Sequence, residues 1–427
     1  MSIRLAAFCV VATALVAGRL PAQEAADWPQ FLGPQRNGIS AEKGLIDKLP
    51  EGGPKVLWRA KGGIGMAGVA VAGGRAMTLV QRDGQQWLIA LDAATGKPLW
   101  QSPLGSEYTN QQGDGPRATP TIAGDRVFAF TGEGILAALS ATDGKPLWSH
   151  NVLANLKGKP ADYGMASSPL VVGDHVIVIA GAPRATLAAY DVKTGKLAWT
   201  AGEDPAGYSS PAVLTVGGKQ QVVAFTGSSA IGVDPAQGTL LWRYPYQTDF
   251  DCNIAVPLAV DGKLFLSSGE NHGCVLLSLA KEAMAKEALS KEGAKLAPQE
   301  VWQSQGSQSV MRNEWQTSIL LDGHLYGFDN VGSAGPVTHL TCVNAATGKR
   351  VWQKPRFGKG NLIAADGKLW ISTMNGELVI VRATPQAYEE LGRAEVIGST
   401  RQAPSLAGGR IYLRDDAEIV CLDVRKP

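Results

Sequence analysis

Three short clusters hold most of the residues in this chain that could do chemistry. They are Asp249-Phe250-Asp251-Cys252-Asn253, Glu270-Asn271-His272-Gly273-Cys274 and Arg312-Asn313-Glu314-Trp315, with Arg401-Gln402 standing apart near the end. Asp251, Asn253, Asn271, His272, Arg312, Glu314, Trp315 and Arg401 offer carboxylate, amide, imidazole, guanidinium and indole groups, a set suited to a polar ligand or a cation. Carboxylate and amide oxygens suit Ca²⁺, whereas Cys252, His272 and Cys274 suit Zn²⁺, although they show one short spacing and no paired motif. The competing reading makes all of these solvated residues that cap strand ends. Hydrolase and nucleotide chemistry find little support: there is no Gly-x-Ser-x-Gly elbow, no His-Glu-x-x-His and no Gly-Lys-Ser/Thr loop.

The elements that must position these clusters repeat. A two-residue turn recurs eight times, at Gly73-Gly74, Gly124-Asp125, Gly173-Asp174, Gly217-Gly218, Asp261-Gly262, Asp322-Gly323, Asp366-Gly367 and Gly408-Gly409. Each lies between apolar runs such as Val127 to Phe130, the local signature of a β-hairpin whose turn needs positive φ. Thr119 to Ala123, Val127 to Thr131, Ile135 to Ala141 and Pro146 to Ser149 read as four short strands of one unit. Short strands joined by tight turns predict an all-β fold, an eight-bladed β-propeller of four-stranded antiparallel blades.

A second turn precedes each outer strand. It reads Asp92-Ala93-Ala94-Thr95-Gly96-Lys97-Pro98-Leu99-Trp100 and returns from Asp143 to Trp148, Asp191 to Trp199, Asn344 to Trp352 and, more loosely, Asp234 to Trp242. Asp and Thr side chains hydrogen-bond the turn backbone, and the Trp supplies an apolar plate for the adjacent blade. Trp58, Trp100, Trp148, Trp199, Trp242, Trp302 and Trp352 take this outer-strand place, and Val396 falls where an eighth would. Because Trp58 precedes the first turn and the last unit lacks an outer strand, Lys55 to Arg59 is expected to complete that unit and close the ring.

This Asp-x-x-Thr-Gly-Lys-x-x-Trp turn resembles the pyrroloquinoline-quinone (PQQ) type repeat of eight-bladed propellers. That group includes quinoprotein alcohol dehydrogenases and the propeller lipoprotein of the outer-membrane β-barrel assembly machinery. The resemblance covers residues 55 to 424, and Trp28-Pro29-Gln30-Phe31-Leu32-Gly33-Pro34 with Asn37-Gly38-Ile39-Ser40 is similar to the start of exported bacterial PQQ-like propellers. In the dehydrogenases the quinone stacks on a Trp beside a disulfide of adjacent cysteines, with Ca²⁺ held by carboxylate and amide and a catalytic Asp nearby. Trp315 and Asp251 are the nearest candidates by loop position, but no adjacent cysteine pair and no Cys-x-x-Cys-His haem site is present. The resemblance implies either a binding or scaffold module for an envelope protein or small polar ligand, or a PQQ-dependent dehydrogenase using PQQ with Ca²⁺.

Composition bounds the remainder. The 427 residues carry a formal net charge of +2 and only 18% charged side chains, so nothing favours a nucleic acid or an anionic membrane as partner. A repeat array grows without splitting into domains, so residues 55–427 are expected to form one propeller and residues 23–54 a strap, the whole a monomer. Arg4, the thirteen-residue apolar stretch from Leu5 to Ala17 and the small-residue exit near Ala22 predict a signal peptide over residues 1–22 and a periplasmic or secreted protein. That stretch is shorter than the ~20 residues of a spanning helix. Residues 278–298 interrupt the fifth unit, and Glu282/Lys286 with Glu287/Lys291 at i,i+4 spacing predict a solvated helix there. Of the five cysteines, Cys342 and Cys421 take the strand place of Ala90 or Ala138 and read as buried. Cys252 and Cys274 share a unit and could pair in an exported protein, though four cysteines allow three pairings.

Overall fold

The computed structural model describes residues 27–279, 298–333, 335 and 337–427. They form eight four-stranded antiparallel sheets, the blades of a propeller. The inner strands of blades 1 to 8 are Ala70–Ala72, Thr121–Ala123, Leu170–Val172, Ala212–Val216, Leu258–Val260, Ile319–Leu321, Gly360–Ala365 and Ser405–Ala407. The inner strands of blades 1 and 2, 2 and 3, 4 and 5, and 6 and 7 touch around the axis, and the eighth touches the first. Six of the eight predicted turns hold both residues at positive φ, whereas Gly124-Asp125 and Gly173-Asp174 do so only at the Gly. Both geometries match the right-handed twist of a hairpin.

Ring closure is as the sequence requires. Lys55–Lys61 pairs antiparallel with Glu418–Asp423 as the outer strand of blade 8, with Trp58 opposite Cys421. Trp100, Trp148, Trp199 and Trp352 stand opposite Ala90, Ala138, Ala189 and Cys342 in the same register. A β-bulge beside each pair turns the indole toward the next blade and leaves the preceding residue outside, which explains exposed Leu99, Leu147 and Val351. The indole N–H of Trp58, Trp100, Trp148, Trp302 and Trp352 donates to a backbone carbonyl in the next blade's turn: Ala93, Ala141, Val192, Ala345 and Thr384. Gly96 lies so flat on Trp58 that a Cβ there would stand 2.7 Å from the ring.

Blade 7 corrects one expectation. Gly392, not Val396, occupies the Trp position, opposite Ile380. A Cβ at Gly392 would stand 2.7 Å from Leu49 Cβ, so the strap fills the seat an indole takes elsewhere. Val396 lies beyond the strand Glu390–Glu395 and is buried in the core shared by blades 7, 8 and 1.

The expected leader and the expected helix of the insertion lie outside the described residues, apart from Ser278, which ends the strand Gly273–Ser278, and its neighbour Leu279 and Pro298. Among the described residues no helix is long and apolar enough to cross a membrane.

Residues 28 to 50 cross the hairpin-turn end of the ring. Trp28 exchanges backbone hydrogen bonds with Val71, Pro29 accepts from Ile122, and Ser40 donates to Ala364. Arg36 is buried among carbonyls of blades 3 and 4, donating to Ser168 O and Pro211 O at 3.0 Å each and to Pro169 O. Loss of hydration pulls its guanidinium down to about 9. The strap therefore closes one end of the central channel and leaves the other open.

Candidate functional site at the open channel mouth

Strands enter each blade from the open end, so the loops preceding the inner strands converge on the axis. They enclose a cavity of about 350 Å³. Its floor is the strap: Trp28, Phe31 and Leu32. Above the floor stand Thr119, Ser168, Ser210 and Thr317, and the wall and rim carry Arg117, Tyr163, Tyr208, Phe250, Glu314, Trp315 and Arg401.

The lower wall follows from a Ser/Thr-Pro pattern. Thr119-Pro120, Ser168-Pro169 and Ser210-Pro211 each open an inner strand. The backbone N–H of Gly68, Thr119 and Ser168 donates to the hydroxyl oxygen of the next blade's residue, Thr119, Ser168 and Ser210, at 2.9–3.0 Å. Val256 donates likewise to Thr317 Oγ1 at 2.9 Å. Hydroxyls thus staple successive blades at the channel wall.

Charged groups on the wall are compensated by the protein. Glu314 pairs with Lys359 at 3.0 Å, and burial pushes its carboxyl above the ordinary value, opposed by Lys359. Lys359 Nζ and the Arg401 guanidinium lie over the Trp315 ring at 4.3 and 5.1 Å, a cation–π arrangement that fixes the indole. Arg401 also donates to Gln112 O at 2.6 Å. Arg117 donates to the carbonyls of Tyr163, Gly113 and Gly115, and burial lowers its pKa. Tyr163 stacks on Tyr208 with centroids 5.5 Å apart.

Of the residues singled out by sequence, Glu314, Trp315 and Arg401 reach the cavity. Asp251 accepts from Gln247 Nε2 at 3.1 Å and lies outside the lining, while its neighbour Phe250 takes the rim. Asn253 is buried, donating to Thr226 O and Tyr246 O. Asn271 Oδ1 accepts from Gly332 N, fastening the enlarged loop of blade 5 to blade 6. His272 packs on Tyr246 with ring centroids 4.3 Å apart, and burial lowers its pKa. Arg312 is sealed in an ion pair with Asp329 at 2.6 Å, both side chains at most 3% exposed.

Cys252 and Cys274, which the sequence leaves able to pair, are not joined; both thiols are free and buried. Their surroundings differ. Cys252 lines the cavity, whereas Cys274 packs between blades 5 and 6 with Leu258, Phe265 and Met311. Burial pushes each thiol up to about 12. Among the described residues no group of three His, Cys, Asp or Glu is arranged to hold a metal, so the Zn²⁺ trio of Cys252, His272 and Cys274 is not assembled.

Sequence reading missed the channel floor, Phe250 and the hydroxyl belt. The repeated Ser/Thr-Pro dipeptide was the available signal for the belt.

Comparison with known proteins agrees with this architecture. A search of the curated proteins finds no match. Among solved structures, the quinohemoprotein alcohol dehydrogenase of Comamonas testosteroni is similar at TM-score 0.65 and 15% identity, covering 93% of this chain and 80% of that one. BamB of Moraxella catarrhalis is similar at TM-score 0.56 and 16% identity over 84% of this chain and 94% of that one. The computationally designed Ika8 protein gives TM-score 0.56 at 11% identity, over 91% and 99%. At such identities the likeness is one of fold. The family model described as outer membrane protein assembly factor BamB matches residues 42–161, 159–354 and 299–426, and the chain belongs to that family of PQQ-like repeat propellers.

Proposed function

We propose that the protein is a non-catalytic binding module of the cell envelope whose channel-mouth cavity receives its ligand. The observation that carries this reading is the cavity of about 350 Å³, floored by the strap and walled by aromatic side chains from several blades. That volume lies in the usual range of small-molecule sites, about 300–1,000 Å³. A rigid ring lowers the ordering cost of binding. The family's description as an outer membrane protein assembly factor supports an envelope location.

The residues present do not fit PQQ as the dehydrogenases hold it. Cys252 and Cys274 are separated and no adjacent cysteine pair exists to cover a quinone. Trp315 has Lys359 and Arg401 over its ring, Glu314 is ion-paired with Lys359, and Asp251 lies outside the lining. No step is derived through the quinone.

The test is a titration of the purified chain with a small-molecule library and envelope-derived metabolite fractions, read by intrinsic fluorescence. A saturable response is expected from the wild type and lost in Trp315→Ala. With PQQ and Ca²⁺, no dye-linked alcohol oxidation above the blank is expected. Dye reduction, or a library without any saturable ligand, would overturn the reading.

A further inference from the structure

Thr119, Ser168, Ser210 and Thr317 leave part of their hydrogen-bonding capacity unused. Each hydroxyl oxygen accepts one backbone N–H from the preceding blade. A hydroxyl also has a proton to donate, and none of these four protons has an acceptor among the described residues. All four residues are at most 5% exposed, and all four line the cavity. A buried hydroxyl proton without an acceptor is unfavourable, so an acceptor entering the cavity would recover interactions the protein leaves unmade.

Glu314, in the same lining, supplies a carboxylate. Glu314 Oε2 is buried and lies 3.0 Å from Lys359 Nζ, yet off the line of a hydrogen bond. The lining therefore offers O–H donors and a carboxylate acceptor together. Its charged groups differ: Glu314 is paired with Lys359, Glu270 accepts from Ser333 Oγ, and Arg117 donates to three backbone carbonyls, whereas Arg401 is presented over Trp315. The belt itself is neutral, so a charged group bound against Thr119, Ser168, Ser210 and Thr317 would lack a direct counter-ion there, which is costly. The remaining lining carries the aromatic side chains of Phe31 on the floor and of Tyr163 and Phe250 on the wall and rim. Phe250 sits at the rim with φ 58° and 61% exposure, a left-handed backbone that a bulky residue rarely adopts.

Groups that both donate and accept, a neutral body and flat apolar faces describe one ligand class. We infer that the cavity binds a neutral polyhydroxylated ring, a saccharide or cyclic polyol, an inference that rests on the binding reading above. Ring hydroxyls accept from the Ser/Thr belt and donate to Glu314, while the C–H faces of the ring lie against the aromatic wall.

Calorimetric titration of the purified chain tests this with two probe sets. Glucose, galactose, maltose and myo-inositol carry no charged group; benzoate and gluconate are anions and arginine amide is a cation, the charged probes. At least one neutral probe is expected to bind saturably, with affinity reduced tenfold or more in the Ser168→Ala/Ser210→Ala double variant. Because those hydroxyls also join blades, Phe250→Ala serves as the second variant, with an expected loss of threefold or more at an unchanged melting temperature. Leu99→Ala, on the outer rim, should bind as the wild type does. Binding of charged probes alone overturns the saccharide assignment and leaves the binding module standing. Neutral binding indifferent to both variants overturns it as well. No heat from either set removes the saccharide site, and the library titration then decides the broader reading independently.

Discussion

At the scale of single residues, the same side-chain type does opposite jobs depending on whether its charge is sealed or presented. Arg312 and Arg401 both stand in loops entering the channel mouth, yet Arg312 is locked to Asp329 while Arg401 lies exposed over Trp315. Asp329 also takes Arg350 at 3.3 Å, so removing Arg312 leaves a buried carboxylate with a half-exposed partner. Truncating one member of a buried pair costs about 3–5 kcal/mol. Arg312→Ala should therefore lower stability by about that amount in urea unfolding, with ligand affinity of the surviving folded fraction unchanged. A fully stable Arg312→Ala protein would show that the pair contributes no net stability. Glu314 is the intermediate case, ion-paired on one side and open to the cavity on the other.

Among the elements, the Asp-x-x-Thr-Gly turn explains why blade packing depends on acidity. Asp92 accepts from Thr95 Oγ1 at 2.7 Å and from the backbone N–H groups of Ala94 and Thr95, and Asp191 repeats this with Thr194. These bonds hold both carboxyls below the ordinary value, the Thr hydroxyl contributing most. A carboxyl whose folded pKa is depressed lends stability that is complete above its unfolded pKa, about 3.9, and lost as pH falls through the folded value. The melting temperature should hold down to about pH 4 and then decline. Asp92→Asn/Asp191→Asn should start lower and decline less over that window; parallel curves would assign the acid loss to other groups. Such turns were legible in the sequence because their chemistry is local: the positive-φ residues, the capping Asp and the following Trp lie within nine positions of one another. The site was legible only in part. Arg312 and Asn253 look like ligand residues until the fold brings Asp329 and Thr226 beside them. Phe250 and the channel floor could not be read from any one repeat, since they join the cavity only when eight loops and the strap meet.

For the whole molecule, the decisive contact is the one that joins the two chain ends. Trp58 is carried by the first strand of the chain, pairs with Cys421 on the last, and donates its indole N–H to Ala93 O in blade 1. Tyr412 donates to the same carbonyl at 3.1 Å, and its ring lies 5.9 Å from that of Trp58. Trp148 makes the equivalent donation to Val192 O, but between blades that the chain already connects. Trp58→Ala removes a buried core side chain, worth about 3–5 kcal/mol, and Trp148→Ala a partly buried one packed against the core. Only Trp58→Ala also loosens the strand that hides the outer edge of blade 8, so its cost should exceed that of Trp148→Ala. Hydrogen exchange locates the difference. In Trp58→Ala, protection should fall first in Glu418–Asp423 and in Lys55–Lys61, and then in blade 1. In Trp148→Ala the loss should remain between blades 2 and 3. Equal stability losses with equally local exchange would mean that closure adds nothing beyond the packing of one indole. A larger loss that spreads across blades 8 and 1 would place the cooperativity of the ring, and with it the shape of the channel mouth, in that terminal strand.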